Sequence, residues 1–594
     1  MNDYGKLKSG TDIRGVAIAS EEKPALLTEQ AVADFAGAFA LWLQRRTGKA
    51  RCKIAIGRDS RLTGELFQKT IIDKLKYCSL ELFDCGMFST PAAFMTTKLP
   101  SMQADGAIMI TASHHPKDIN GLKFFTADGG VNSAELDEII ELADAGECVK
   151  PGSLSMIIRR DYMRLYCDTL CDMIRKGTGL FMPLKGMKIV VDAGHGAGGF
   201  FADRVLSPLG ADVSASQFLQ PDGAFPAHPP NPENAEAMES LKTRVVESGA
   251  DIGIIFDADV DRCAVVTGDG TEVNRCRLIA LAAAMILPEH KGATIVTDSV
   301  TTEGLRKFIE AHGGVQKRFR RGYRNVIDEA KRLCDAGTDA PLAIESSGHV
   351  AFKEHYFLDD GAYFVAKILV TFANLRRKGK DLVDLIDGLE TPLEECDVRL
   401  KMTGRDWKAT AEKIISRLNG IAERMLRISE DNYEGVRAYV SHADGYFIVR
   451  TSVHDPVVPI YIESNKRGGA LSIARFLYSY MCGFSGVDMS PLQQLIDEKT
   501  IELEIEKSDD DGYDDLAQGE EAAVFDVGEG TNDFDGFDEI EESEQAEQDD
   551  FNEDTTDADF GGFDADDGYA VDGEADFDET NPISEQTGED PDQF

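Results

Sequence analysis

The chain has 594 residues, 42% hydrophobic and 8% aromatic, ordinary proportions for a globular protein; its length exceeds what one core supports and implies three to five domains. Its net charge of −44 is uneven, because residues 508–594 hold 35 Asp and Glu with no Lys or Arg, leaving 71 acidic against 62 basic groups elsewhere. An acidic tail on a mildly acidic body excludes nucleic acid as the expected partner, and the longest clean apolar run, Leu278–Leu287, is about half a membrane span.

Eleven cysteines form no Cys-x-x-Cys pair and, scattered through apolar segments, read as buried free thiols of a reducing compartment. Met1–Gly10 lacks the basic-then-apolar pattern of a secretion signal, so the expected location is cytoplasmic, with no membrane contact. Along the body a short β-branched run, a glycine-containing turn and an amphipathic helix recur. Val32, Phe35, Phe39 and Trp42 share one face of the first long helix. Strands are expected at Lys53–Ile56, Ala107–Ile110, Lys188–Val191, Ile252–Phe256, Thr294–Val296 and Leu342–Ile344. Such alternation predicts several α/β layers with parallel sheets built of right-handed βαβ units.

Linkers are expected at Lys150-Pro151-Gly152-Ser153, after Gly268-Asp269-Gly270, and near Gly388–Pro392. They divide the chain into domains at 1–152, 153–270, 271–390 and 391–507, the fourth a smaller α+β unit containing the alternating strand Tyr446–Val449. The tail, 508–594, cannot bury enough apolar surface to offset its ordering entropy and is expected to be disordered. Its Phe-Asp units suit a solubilising segment or one that docks on a basic protein partner.

Four segments, each after an expected strand, carry the chemistry. Thr111-Ala112-Ser113-His114-His115-Pro116, with Asn120-Gly121-Leu122-Lys123 beyond it, offers a serine nucleophile if a base or metal activates it. In Asp257-Ala258-Asp259-Val260-Asp261-Arg262, after a run read as a buried parallel strand, three carboxylates spaced by two can converge on Mg²⁺, and the guanidinium can grip phosphate. Glu345-Ser346-Ser347-Gly348-His349 offers a carboxylate and hydroxyls to a sugar. Arg450-Thr451-Ser452-Val453-His454-Asp455-Pro456 offers an anion-binding loop. Taken singly, each has a plain alternative: a solvated acidic loop, a turn serine, a satisfied histidine or an ordinary turn.

Together, in this order and spacing, they resemble the α-D-phosphohexomutase family, which includes phosphomannomutase and phosphoglucomutase. Thr11-Asp12-Ile13-Arg14-Gly15, Gly57-Arg58-Asp59-Ser60-Arg61, Asp192-Ala193-Gly194-His195-Gly196 and Pro221–Pro226 extend the likeness over roughly residues 4–480. The resemblance implies three related α/β domains and a smaller C-terminal α+β domain around a central cleft, each giving one loop. It implies a mutase that interconverts hexose 1-phosphate and hexose 6-phosphate, glucose or mannose, through a phosphoserine enzyme and a hexose 1,6-bisphosphate. Ser113 would carry the phosphoryl group, and Mg²⁺ would be held by Asp257, Asp259, Asp261 and Ser113. His114, Arg262 and Arg14 would surround the transferring group, with Lys123 and His349 as acid–base candidates. Glu345 and Ser347, with Tyr323 and Arg324, would read the sugar, and Arg450 and Ser452 would hold the non-reacting phosphate.

The chain departs from the family pattern at His115 for Asn, Ile344 for Gly, Val453 and His454 in the phosphate loop, and Ala258 and Val260 for two glycines. Without those glycines the metal loop is expected to avoid positive φ. The alternatives are an amino-sugar phosphate mutase, or a weakened sugar-phosphate-binding protein that works through its tail.

Overall fold

The computed structural model describes residues 3–404, 406–452 and 456–510. These carry four β-sheets. Glu29–Thr47 is the first α-helix. It is capped by the Thr28 side chain, which accepts from Ala31 N, and closed by Gly48 at φ 68°. Val32, Phe35, Phe39 and Trp42 are all buried on it.

The first sheet runs Lys8–Ser9, Asp12–Val16, Ile119–Thr126, Gly106–Ile110, Lys53–Arg58, Glu81–Met87, Met156–Arg159, with Gly129–Gly130 beside Ile119–Thr126. Its last strand is parallel to Glu81–Met87, so the sheet continues past the boundary expected at 152. The Pro-Gly-Ser stretch is tied back instead: Gly152 N donates to Tyr77 O and Ser155 N to Lys76 O. Its turn chemistry serves an edge-strand connection rather than a domain linker. The second sheet, Glu272–Val273, Cys263–Thr267, Ile252–Phe256, Ile189–Asp192, has four strands. The third is Val315–Phe319, Thr294–Asp298, Leu342–Ile344, Val350–Phe352, Leu358–Asp359, and the fourth Glu394–Lys401, Val457–Ser464, Gly445–Val449, Val436–Val440, Arg427–Ile428.

The sheets are mixed rather than parallel throughout, and the exceptions position the site. Gly106–Ile110 pairs antiparallel with Ile119–Thr126, Ile252–Phe256 with Cys263–Thr267, Leu342–Ile344 with Val350–Phe352, and Gly445–Val449 with Val457–Ser464. All four chemical loops therefore join a strand to its antiparallel neighbour, where the chain reverses at a strand's carboxyl end. Ile252–Phe256, read as a parallel strand, has a parallel neighbour only on the side of Ile189–Asp192.

One apolar core runs through the first three domains: Phe94, Tyr166, Phe256 and Phe364 belong to the same cluster. The fourth domain has its own, around Leu400, Phe447, Ile460 and Leu477. Three domains thus share a frame and the fourth meets it mainly through polar contacts, such as Arg318 Nη1 to Asp431 Oδ2 at 2.7 Å and Arg437 Nη1 to Ser299 O at 3.0 Å. Leu278–Leu287 falls in the buried helix Arg275–Ile286 and its cap, and among the described residues no helix is long and apolar enough to cross a membrane. None of the cysteines is bridged. The last helix, Ser490–Asp510, takes in the first three residues of the segment expected to be disordered; the rest of that segment lies outside the described residues.

Candidate active site

The serine loop is held from below by one arginine. Arg61, only 2% exposed, donates Nη1 to Pro116 O (2.8 Å) and Ile119 O (2.7 Å), and Nη2 to His115 O (2.6 Å) and to Ser113 O. Four carbonyls of one loop converge on one guanidinium, a fork whose fixed donors set the loop's shape. Asp59 supports it: Arg61 N donates to Asp59 Oδ1 at 2.9 Å, and Thr111 Oγ1 to Asp59 Oδ2 at 2.7 Å. Burial pushes Asp59 up to about 6 although Arg61 pulls the other way. Ser113 itself has φ 51°, and its N–H donates to Thr111 Oγ1 at 2.9 Å. A non-glycine residue there is strained and persists only where its surroundings fix it.

Ser113 Oγ donates to Asp257 Oδ2 at 2.7 Å, accepts from Arg262 Nη2 at 3.1 Å, and lies 3.3 Å from His114 Nδ1. The serine and metal loops thus meet through 144 residues of chain. Arg262 Nε also donates to Asp257 Oδ2, at 3.1 Å. The nearby Arg262 charge, then burial and His115, hold the His114 imidazole far below its ordinary pKa. That favours its neutral form.

Asp257, Asp259 and Asp261 are all fully buried, and each offers an oxygen within 4.8 Å of the others. Thr90 Oγ1 donates to Asp259 Oδ2 at 2.6 Å, and Lys123 Nζ to Asp261 Oδ2 at 2.6 Å. Asp259 Oδ1 and Asp261 Oδ1 have no hydrogen-bond partner among the described residues. Buried carboxylate oxygens are costly unless paired, and converging hard oxygens are what a divalent cation such as Mg²⁺ takes; the cluster fits such an ion. Burial, then the charges of Asp261 and Asp259, push Asp257 well up. Burial raises Asp261, but Lys123, His349 and Arg262 together hold it down.

The loop reverses through a position the sequence argued against. Ala258 keeps an ordinary backbone, but Val260 adopts φ 68°, so the expectation that the loop avoids positive φ fails at the second glycine position. Hydrogen bonds impose the conformation: Val260 N donates to Asp257 O at 3.3 Å, and Val260 O accepts from Gly361 N at 3.2 Å. A β-branched residue there stores roughly 1–3 kcal/mol. Gly361 is required opposite it, since a Cβ would lie 2.8 Å from the Arg262 carbonyl carbon.

Lys123 is 4% exposed. Burial works against its charge, but Asp259 and Asp261 outweigh it and raise its pKa well above the ordinary value. His349 Nδ1 lies 3.0 Å from Ser347 Oγ and 3.5 Å from Glu345 Oε2, and Nε2 lies 3.6 Å from Asp261 Oδ1. Its ring stacks on Tyr323 at 5.1 Å, and Lys123 Nζ sits over the same Tyr323 ring at 5.8 Å. Tyr323 thus joins the reacting groups, whereas Arg324 turns to Gly130 O and Asp328. Glu345 accepts from Gly322 N at 2.6 Å, and Arg14 pairs with Asp12 at 2.7 Å. In the fourth domain Arg450 is buried and Ser452 N donates to Val457 O; Val453 and His454 lie outside the described residues.

Models of phosphoglucomutase/phosphomannomutase alpha/beta/alpha domains I, II and III match residues 5–147, 172–270 and 275–392. The phosphomannomutase/phosphoglucomutase of Pseudomonas syringae pv. tomato is 31% identical over 441 residues, 72% of this chain and 88% of its own. The chain belongs to the phosphoglucomutase/phosphomannomutase family. The phosphoglucomutase/phosphomannomutase of Thermococcus kodakarensis is 28% identical across 78% of this chain and 95% of its own. A crystal structure of a family protein from Burkholderia thailandensis superposes with a TM-score of 0.66 at 26% identity, covering 81% of this chain and 98% of that one.

Sequence reasoning gave no role to several residues of this phosphohexomutase site. Arg61 was visible only as part of a motif, and nothing local says that its fork reaches loop carbonyls some 50–60 positions away. Thr90 had no signal at all. Asp359, 6% exposed, shares a cluster with Asp261 and His349, and burial pushes it up to about 7. The Asp359-Asp360-Gly361 run after an apolar segment was its available cue.

Proposed function

We propose that the chain interconverts hexose 1-phosphate and hexose 6-phosphate, with glucose or mannose as the sugar, by transfer to and from Ser113. The observation that carries this is Ser113 Oγ lying between Asp257 and Arg262, 2.7 and 3.1 Å away. A hydroxyl so placed can carry a phosphoryl group beside a metal site and beneath a guanidinium. Asp257, Asp259, Asp261 and the phosphoserine would hold Mg²⁺, which when bound neutralises charge on the transferring phosphoryl.

Arg262 keeps its charge at the serine oxygen, where transfer concentrates negative charge. His114, neutral, can orient the Ser113 hydroxyl through Nδ1. His349, oriented by Ser347 and Glu345, is placed to take the proton of the attacking sugar hydroxyl and to return it. Lys123, held cationic by Asp261 and Asp259, acts as a fixed positive charge or proton donor; as a base it would have to give up both partners. Glu345 and Ser347 read sugar hydroxyls, while Arg450 and Ser452 hold the phosphate that is not reacting. Turning a hexose 1,6-bisphosphate in the cleft then presents the other phosphate to the same serine. The buried, paired charges of the serine and metal loops support this reading over a protein that only binds sugar phosphates.

The test is a coupled assay of the full chain with glucose 1-phosphate and mannose 1-phosphate, Mg²⁺ and a trace of the hexose 1,6-bisphosphate. Turnover of at least one substrate, abolished by EDTA and restored by Mg²⁺, is expected. Binding of both sugar phosphates without turnover would leave a binding protein.

A further inference from the structure

Arg450 differs from the other deeply buried arginines. Arg61 lies 3.3 Å from Asp59, Arg262 3.1 Å from Asp257, Arg318 2.7 Å from Asp431, and Arg437 3.8 Å from Glu463. Arg450 is only 8% exposed, yet among the described residues no carboxylate pairs with it. Its Nε has no hydrogen-bond partner, and its Nη1 reaches only the neighbouring Thr451 O, at 3.4 Å. A buried cation left without an anion costs several kcal/mol, so the arrangement is made for an anion that arrives from outside.

Three further arginines, Arg275, Arg321 and Arg399, line the same space, and of these Arg321 and Arg399 act electrostatically on Arg450. One cavity is lined by Arg450, by Arg321 and Ser346 beside the sugar loop, and by Arg399 on the strand Glu394–Lys401. That strand alternates: Cys396, Val398 and Leu400 enter the core, while Glu395, Asp397 and Arg399 are exposed on the opposite side and line the cavity. Arg321 Nη2 donates to Glu233 Oε1 at 3.3 Å, keeping its fork beside the sugar loop. Burial lowers the pKa of Arg450, and the charges of Arg321 and Arg399 lower it further against the opposing pull of Glu434 and Asp298. Arg321 and Arg399 are thus each near enough to act on the Arg450 charge. Glu395 and Asp397 give the cavity acceptors for hydroxyl groups rather than ligands for an anion.

We propose that Arg321 and Arg399 complete the subsite for the non-reacting phosphate, holding it with Arg450 between the third and fourth domains. The proposal rests on the mutase reading and adds residues outside the 450–456 loop, from two other segments. Forked guanidinium groups match phosphate oxygens bidentately. A sugar phosphate bound there is gripped by both domains at once, so the phosphate, and not the sugar alone, draws the fourth domain to the frame of the other three.

The experiment uses full-length Arg321→Gln and Arg399→Gln with their Lys counterparts. KM for glucose 1-phosphate, or for mannose 1-phosphate if that is the better substrate, is expected to rise about 10-fold or more in each Gln variant, the scale of one hydrogen bond to a charged group. kcat is expected to change by less than about 3-fold, and Lys to recover part of the loss. Calorimetry with inorganic phosphate as the probe is expected to show a parallel loss of affinity. Should Arg321→Gln fail to fold, Arg399→Gln decides the matter, because its side chain leaves the exposed face of a strand. Unchanged KM and unchanged phosphate affinity in an active enzyme would overturn the proposal and leave the mutase reading intact. If the wild-type chain turns over neither substrate, the mutase reading fails, and the calorimetric comparison still decides whether these arginines bind phosphate.

Discussion

The two ends of the cleft treat buried charge in opposite ways. Around Ser113 each buried cation already has a carboxylate: Arg61 has Asp59, Arg262 has Asp257, and Lys123 has Asp261. Around Arg450 the buried cation has none among the described residues. The first arrangement is complete before substrate arrives, and transfer chemistry needs that, since charges fixed in advance cost no reorganisation at the moment of reaction. On the proposed reading the second would be completed by the substrate's own phosphate, concentrating binding energy where the ligand enters. Backbone strain does not separate the two ends: Ser113 and Val260 have φ 51° and 68°, and Arg275 beside the Arg450 cavity has φ 49°. Preassembly at one end and deferred pairing at the other make different predictions for substitutions.

The largest effect is expected at the metal loop. Asp259→Asn removes a charge from a fully buried cluster, and Mg²⁺ affinity is expected to fall by about 100-fold, taking turnover with it. Calorimetry with Mg²⁺ checks this apart from activity, and wild-type affinity in the variant would break the assignment. Arg61 comes next. Arg61→Gln leaves loop carbonyls without their common donor, and kcat is expected to fall about 100-fold as Ser113 loses its position. KM should change little, because the polar partners of the Arg61 side chain are the loop carbonyls and Asp59. An equal rise in KM would place Arg61 in substrate binding and blur the contrast between the two ends.

A smaller effect concerns pH. Burial pushes both Asp59 and Asp298 up to about 6, the first beside Arg61 and the second against Glu345 with Arg321 opposing. Both are needed as carboxylates: Asp59 for its pairing with Arg61, and Asp298 to accept from Ser346 N and Oγ at once. Protonation grows as pH drops through about 6, so kcat/KM is expected to fall toward acid and to level off above about pH 7. Asp298→Asn tells the ends apart, since an acid limb that survives unchanged belongs to Asp59. A flat profile from about pH 5 to 7 would remove both. The smallest effect is expected from the acidic tail. Every assigned residue lies between Arg14 and Ser452, so truncation after Asp510 should alter kcat and KM by less than about 2-fold. A large loss would give the tail a part in the site.

The strand ends were legible because apolar β-branched runs stop abruptly at polar clusters, and Ile252–Phe256 ran straight into Asp257. The pairing direction was not legible. Ala107–Ile110 and Ile252–Phe256 look like parallel strands because both faces are buried, yet each has one antiparallel neighbour, a matter of topology that no local pattern encodes. The positive φ at Val260 was missed for a related reason. Propensity argues against it, and hydrogen bonds to Asp257 and Gly361, the latter 101 positions away, override propensity. In the site the residues on the four loops could be named in advance, since their types carry the chemistry. Thr90, Arg61 and Arg399 could not, because their partners lie far off in the chain, within the same sheet for Arg61 and beyond it for Thr90, and their types are ordinary where they stand.

The central claim is that Ser113 carries the phosphoryl group between the two positions of the sugar, and single-turnover transfer tests it most directly. Full-length enzyme is incubated with glucose 1,6-bisphosphate labelled in its phosphates, freed of ligand, and digested for mass spectrometry. Phosphate is expected on the peptide containing Ser113, with quantitative passage to added glucose 1-phosphate or mannose 1-phosphate when Mg²⁺ is present. Full turnover by Ser113→Ala, or phosphate found on another residue that passes to substrate at the rate of catalysis, would contradict it.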